Sequence, residues 1–250
     1  MTTPDIWSNW KQIAGSLKQI SIGYSGIWGV NSNDEIYYRS GIFQDKKEGD
    51  IWHNIDGRLK HISSGEFGVW GVNSLDSIYY REWISNLIPY GKSWTQIEGG
   101  LKQISSGIFG VWGVNSNNDL FFREGINYSN PKGTGWKFIN GGIKFISVGK
   151  YGIWAINTLD EIYLRNNVTF LNPIGDGWIK IDGKLKQISS GEYGVWGVNA
   201  NDEIFYRKGV NNYNLKGDIW EKVSGGLKYI ENGIYGIWGV NCNDEIWLRI

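Results

Sequence analysis

Short apolar runs of four to six residues recur along the chain, each closed off by a cluster of Gly, Asn or Asp. The first complete set reads Leu17-Lys18-Gln19-Ile20-Ser21, a glycine turn from Gly23 to Gly26, and then Ile27-Trp28-Gly29-Val30. The turn Asn31-Ser32-Asn33-Asp34 follows, then Glu35-Ile36-Tyr37-Tyr38-Arg39, a longer loop, and Ile51-Trp52-His53-Asn54-Ile55. Runs rich in β-branched and aromatic residues between turn formers predict strands. No stretch of about eleven residues or more carries apolar positions at the 3.6-residue spacing of an amphipathic helix.

The pattern repeats. Trp10, Trp52, Trp94, Trp136, Trp178 and Trp220 are spaced 42 residues apart. The same spacing relates Trp28, Trp70, Trp112, Trp154, Trp196 and Trp238, the lysines from Lys18 to Lys228, and the arginines from Arg39 to Arg249. Four short strands in each unit of about 40 residues is the signature of a propeller blade. The expectation is an all-β, six-bladed β-propeller of four-stranded antiparallel blades, with residues 1–250 as a single domain. The chain starts just before a Trp10-Lys11-Gln12-Ile13 strand and stops where that strand should come next. With Leu17 to Ser21 innermost, the N-terminal strand would complete the last blade and close the ring.

Composition narrows the function. Twenty-five basic residues balance 25 acidic ones in 250, which argues against nucleic acid as a partner and against electrostatic attachment to an anionic membrane. No apolar run is long enough for a membrane helix, so no membrane insertion is expected. The N-terminal Met1-Thr2-Thr3-Pro4-Asp5 lacks the features of a signal peptide, and the expected location is cytoplasmic, with export by another route left open. Cys242 is the one cysteine, and His53 and His61 the only histidines, so neither a disulfide framework nor a metal site is expected. The two histidines have no repeated carboxylate partner and are read as surface or packing residues; no cofactor and no catalysis are expected. Glycosylation sequons at Asn127-Tyr128-Ser129 and Asn167-Val168-Thr169 matter only in an exported chain.

The unit Trp10…Ile13…Gly15…Leu17-Lys18-Gln19-Ile20-Ser21, Gly26-Ile27-Trp28-Gly29-Val30-Asn31, Ile36-Tyr37-Tyr38-Arg39 resembles the tectonin repeat, and five further copies follow. The resemblance covers about residues 7 to 250. It implies a six-bladed propeller that binds carbohydrate at several similar sites, without metal and without catalysis. Intracellular relatives use the repeat to bind protein or lipid. The long loop after Arg39 and its counterparts departs from the usual pattern, so no relative's sugar preference carries over.

The repeated positions sort into core and rim. The Trp28 and Trp10 series are read as packing residues. Asn31 and Asp34 suit a tight reversal, and Lys18 should reach the same rim, as salt-bridge partner or as one of six lysines ringing an anion site. Arg39, Arg81, Arg123, Arg165 and Arg207 lie at the opposite rim beside the long loops. That rim also receives Phe67, Phe109, Tyr151, Tyr193 and Tyr235 from the glycine turns, with Ser25 in the first unit, a candidate degenerate site. Aromatic faces stack on sugar rings while guanidinium donors bond hydroxyls, so these ten residues are the candidate ligand site. The alternative for the arginines is a cation–π clamp that holds the loop. Phe43, Trp83, Tyr90, Tyr128, Phe170 and Tyr213 sit in the loops without a common register and read as specificity elements. The function expected is a multivalent lectin for surface glycans, plausibly in defence; the alternative is a scaffold that binds a protein or lipid partner through one face.

Overall fold

The computed structural model describes residues 10–250, so Met1 to Asn9, and with them the reading of the N-terminus, lie outside the described residues. The strands fall into six four-stranded antiparallel sheets. β1 (Trp10–Ser16) stands apart from blade 1, which is β2 (Gln19–Gly23), β3 (Gly26–Val30), β4 (Glu35–Arg39) and β5 (Trp52–Arg58). Blade 2 is β6 (His61–Gly65), β7 (Gly68–Val72), β8 (Ser77–Glu82) and β9 (Ser93–Gly100). Blade 3 is β10 (Gln103–Gly107), β11 (Gly110–Val114), β12 (Leu120–Glu124) and β13 (Gly135–Asn140). Blade 4 is β14 (Ile143–Gly149), β15 (Gly152–Asn157), β16 (Glu161–Arg165) and β17 (Trp178–Lys184). Blade 5 is β18 (Gln187–Gly191), β19 (Gly194–Val198), β20 (Glu203–Arg207) and β21 (Trp220–Gly226). Blade 6 takes β22 (Tyr229–Gly233), β23 (Gly236–Val240) and β24 (Glu245–Arg249) from the end of the chain and β1 from its start. Trp10 pairs with Arg249 and Ile13 with Ile246, and this pairing closes the ring.

The innermost strand begins two residues later than the sequence pattern suggests. Leu17 belongs to the crossover between blades, where its amide bonds the Asp244 carbonyl of blade 6, and Lys18 N–H bonds Val30. The Leu17 side chain is buried against Gly29, where a Cβ would collide with it; Gly71, Gly113, Gly197 and Gly239 make the same room for Leu59, Leu101, Leu185 and Leu227. Blade 4 alone carries Ala155 there, and its crossover residue is Ile143, a differently branched side chain that leaves space for the methyl.

Between blades the core is built on the buried tryptophans, of which Trp28, Trp70, Trp112, Trp154 and Trp238 have no exposed surface. The reversal after β3 is an Asx turn. Asn31 Oδ1 accepts the amides of Asn33 and Glu35, while Asp34 holds a left-handed φ of 64°. Asp34 then pairs with Lys18, and Lys60–Asp76, Lys144–Asp160, Lys186–Asp202 and Lys228–Asp244 repeat that pair. Five of the six rim lysines are thus salt-bridged in their own blades. Lys102 instead bonds the neutral Asn118, and burial lowers its pKa, with Lys144 and Lys60 adding to the effect and Asp76 opposing it.

Down the axis the blades alternate. Gln19, Gln103 and Gln187 each bridge to the next blade, bonding both the carbonyl and the amide of Ile62, Ile146 and Ile230. The intervening blades place His61, Phe145 and Tyr229 at the same level, ring centroids 6.2–6.4 Å apart and edge to face. These three rings plug the channel. His61 is therefore a packing residue, and burial, reinforced by the Lys60 and Lys18 charges, holds its pKa down at about 3.

Candidate binding rim

Five long loops connect the third and outer strands of blades 1 to 5, all at the rim opposite the lysines. They share one backbone. In each, two residues three apart exchange amide–carbonyl bonds, as Phe43 and Lys46 do, and a glycine follows, as Gly49 does on the Lys46 carbonyl. Ser85/Ile88, Asn127/Asn130, Thr169/Asn172 and Asn211/Asn214 stand 42 residues apart and repeat the geometry. The expectation that the loop aromatics lack a common register needs correction: Tyr128 and Phe170 are equivalent positions on equivalent loops.

The arginine series lies beneath these loops. Arg39, Arg81, Arg123, Arg165 and Arg207 donate through Nε to loop carbonyls nine residues on, at 2.6–2.9 Å. Each guanidinium rests over the tryptophan that pairs with it across the outer strand, 4.9–5.3 Å from the ring centroid. Arg81, Arg123 and Arg207 also pair with Asp56, Glu98 and Asp182 on the outer strand of the preceding blade. Arg39 and Arg165 find Ala14 and Asn140 at those positions, and burial lowers their pKa below the ordinary arginine value, with nearby Asp and Glu residues opposing. Arg81 and Arg123 are only 2 % exposed. Of the two sequence readings of the arginines, this geometry is the clamp.

The tryptophans under the arginines join neighbouring blades. Trp52, Trp94, Trp136 and Trp220 donate their indole N–H to carbonyls of Ala14, Asp56, Glu98 and Asp182, and Trp10 closes the series on Ser224. Trp178 bonds the Asn140 side chain instead, because β13 ends there.

The turn aromatics are placed from below. Carbonyls of Phe67, Phe109, Tyr151, Tyr193 and Tyr235 each accept the indole N–H of the buried tryptophan three residues on, as Ser25 does in blade 1. Loops of the next blade lean over two of them: Tyr128 meets Phe67 at 5.7 Å and Phe170 meets Phe109 at 5.4 Å between centroids. Tyr128 also donates its hydroxyl to Glu66, which raises its pKa. Tyr193 lies under Lys47 of the blade 1 loop, and Tyr151 under its neighbour Lys150. Tyr90 stacks on His53 and is less free than the others. Phe43, Trp83, Tyr128, Phe170 and Tyr213 remain exposed.

Trp83 stands out on conformational grounds. Its φ is +64°, a left-handed geometry at the position where the sister loops carry Gly41, Gly125, Asn167 and Gly209. A bulky side chain there is strained, and such strain clusters at functional sites. The sequence carried a signal for it, a tryptophan in a column of Gly and Asn.

The blades and loops together define a closed six-bladed β-propeller with one loop backbone repeated at five blades of one rim. The Tectonin domain model matches residues 6–144 and again 136–250, and the chain belongs to that family. Comparison with curated protein sequences gives no match. Among solved structures, the Myceliophteria thermophila Cps50 (Swd1) β-propeller domain is similar with a TM-score of 0.61 at 7% identity, covering 96% of this chain and 99% of that one. Human WBSCR16 follows with 0.57 at 12%, covering 93% and 71%. YCF48 bound to D1 peptide gives 0.52 at 12%, covering 96% and 80%. At these identities the likeness extends to the fold.

Proposed function

We propose that this protein is a multivalent carbohydrate-binding protein whose sites are the aromatic platforms of the loop rim. The observation that carries the reading is Trp83, exposed and held in a left-handed conformation that its sister loops reserve for Gly and Asn. The Phe67–Tyr128 and Phe109–Phe170 pairs supply two further platforms. Sugar C–H faces stack on such rings, and loop backbone groups supply hydrogen bonds. The turn aromatics Tyr151, Tyr193 and Tyr235 complete the set at the other blades. Arg39, Arg81, Arg123, Arg165 and Arg207 act as positioning residues that hold the loops. Similar shallow sites on one rigid ring raise avidity on a dense glycan surface by about 10²–10⁴.

The test is a glycan array run with and without EDTA on the wild-type protein and on Trp83→Gly, Tyr128→Ala and Phe170→Ala. Binding that survives EDTA and drops in the variants is expected. A blank array, or a bound glycan set that all three variants retain, overturns the reading. A protein partner is the second reading. It is favoured by Leu87 and Leu171, fully or almost fully exposed at the loop tips, where an aliphatic side chain offers no stacking face. The YCF48 structure shows that a propeller of this general fold takes a peptide.

A further inference from the structure

The axial channel ends in a blind well at the loop rim. His61, Phe145 and Tyr229 close it from below, and the inner strands of all six blades wall it, enclosing about 400 Å³. One level of the wall is uniform except at one point. Ser21, Ser63, Ser105, Ser147 and Ser189 occupy one level, each hydroxyl accepting an amide of the next blade. The sixth position is Glu231, whose carboxyl takes a hydrogen bond from Ser189. Above it, the hydroxyls of Ser106 and Ser190 line the well, buried and without a hydrogen-bond partner among the described residues. The mouth carries Tyr24, Glu66, Ile108, Lys150, Glu192 and Ile234, where Lys150 is neutralised by Glu192. The charge left over at the well is acidic.

We propose that this well is a separate binding site for a primary ammonium group on a body no larger than a hexose, with Glu231 as its counter-ion. An ammonium has three donors and a point charge, which suits one carboxylate among hydroxyl oxygens. A divalent metal would demand several carboxylate or carbonyl oxygens, and the described residues group no three acidic, Cys or His side chains that could hold a metal. Ile22, Val148 and the mouth isoleucines give the body of the ligand apolar contact, and exposed Tyr24 gives it a ring face. Burial pushes the Glu231 pKa up to about 8, the Ser189 hydrogen bond opposing, so a bound cation would ionise a carboxyl that is otherwise protonated at neutral pH. The other titratable groups facing this space are His61, held neutral, Tyr229 on the same strand, held protonated, and Tyr24, Glu66, Lys150 and Glu192 at the mouth. The well shares no lining residue with the aromatic platforms, which it meets through the Tyr128 hydroxyl on Glu66.

Calorimetric titration of the intact chain with glucosamine, glucose and Nα-acetyl-lysine amide tests it. Both amines share the ammonium, and their comparison identifies whether an amino sugar or a lysine side chain is the better source; glucose is the neutral control. Saturable binding of at least one amine is expected, with release of a proton at pH 7 read from buffers of different ionisation heat. Glu231→Ser, which installs the residue of the other five blades, should weaken it by about tenfold or more, as for loss of a charge-assisted hydrogen bond. Trp83→Gly should leave it unchanged, which separates this site from the rim. No amine binding, binding that Glu231→Ser retains, equal binding of glucose, or no proton release overturns the proposal.

Discussion

Trp83 and Gly41 occupy equivalent points of sister loops, and the exchange of one for the other sets exposed aromatic surface against stability. A left-handed conformation costs a non-glycine residue roughly 1–2 kcal/mol. Trp83→Gly should therefore stabilise the protein by about 1 kcal/mol in urea denaturation while removing an exposed ring; a loss of stability would show that Trp83 is held by packing instead. Arg123 tests the clamp. It joins the Lys132 carbonyl, Trp136 and Glu98. Arg123→Ala should cost about 2 kcal/mol and speed tryptic cleavage after Lys132, because the loop loses its anchor. Two channel residues make stability depend on pH in opposite senses. The folded chain keeps His61 neutral down to about pH 3, while the unfolded chain protonates it near 6.5, so acidification through that window destabilises the fold. Glu231 keeps its proton up to about pH 8 in the fold and loses it near 4.5 when unfolded, so stability falls as pH rises through that range. Glu231→Ser should raise the melting temperature at pH 8, and His61→Gln, the residue of the odd blades, should flatten the acid limb. Melting curves from pH 4 to 9 read both.

At the scale of the element, each blade is an inner strand, a glycine turn, a tryptophan strand and an Asx reversal, and the crossover leucine locks it to the sheet. Gly29 and Leu17 form a pair that blade 4 carries as Ala155 and Ile143. Gly29→Ala alone should destabilise by about 1–3 kcal/mol through overpacking. Adding Leu17→Ile should recover part of that loss, and a double-mutant cycle with no coupling would show that the two side chains do not share the space. The loops are elements in the same sense: one backbone repeated five times, carrying different tips. That arrangement lets the tip residues vary while the Arg–Trp clamp beneath stays constant.

For the whole molecule the governing fact is closure. Each blade is stapled to the next by an indole N–H and a crossover amide, in five of the six junctions also by a serine hydroxyl, and in alternate junctions by a glutamine. β1 carries the staple between blades 5 and 6, through Trp10, and covers the open edge of β24. Deleting residues 1–16 should lower the unfolding midpoint by many degrees, broaden the transition and promote association through the exposed edge. A sharp transition at the wild-type temperature would mean that the velcro strand contributes little to the ring. The alternation of Gln with His61, Phe145 and Tyr229 gives the axis a threefold character within sixfold architecture, and it is this plug that turns a channel into a well.

The fold was legible because a 42-residue period, strand-length apolar runs and turn residues are all local properties of the chain, and six copies repeat them in register. The buried Trp28 series, the Asx turns and five of the lysine salt bridges followed from the same local reasoning. The sequence placed the arginines and turn aromatics at one rim, since strand direction alone decides which end of a blade a residue reaches. It left open whether the arginines faced a ligand or a loop, because that depends on a carbonyl nine residues on and a carboxylate in the preceding blade. Nor did it reveal the left-handed Trp83 or that Glu231 and His61 meet at the axis. Their settings arise only when six inner strands converge on one axis, where burial and the neighbours from opposite blades determine charge state and exposure. What the sequence determined by itself is the blade and its repetition. What the tertiary structure decided is which side chains meet between blades and around the axis, because those contacts join residues 25 or more positions apart and exist only once the blades pack into a ring.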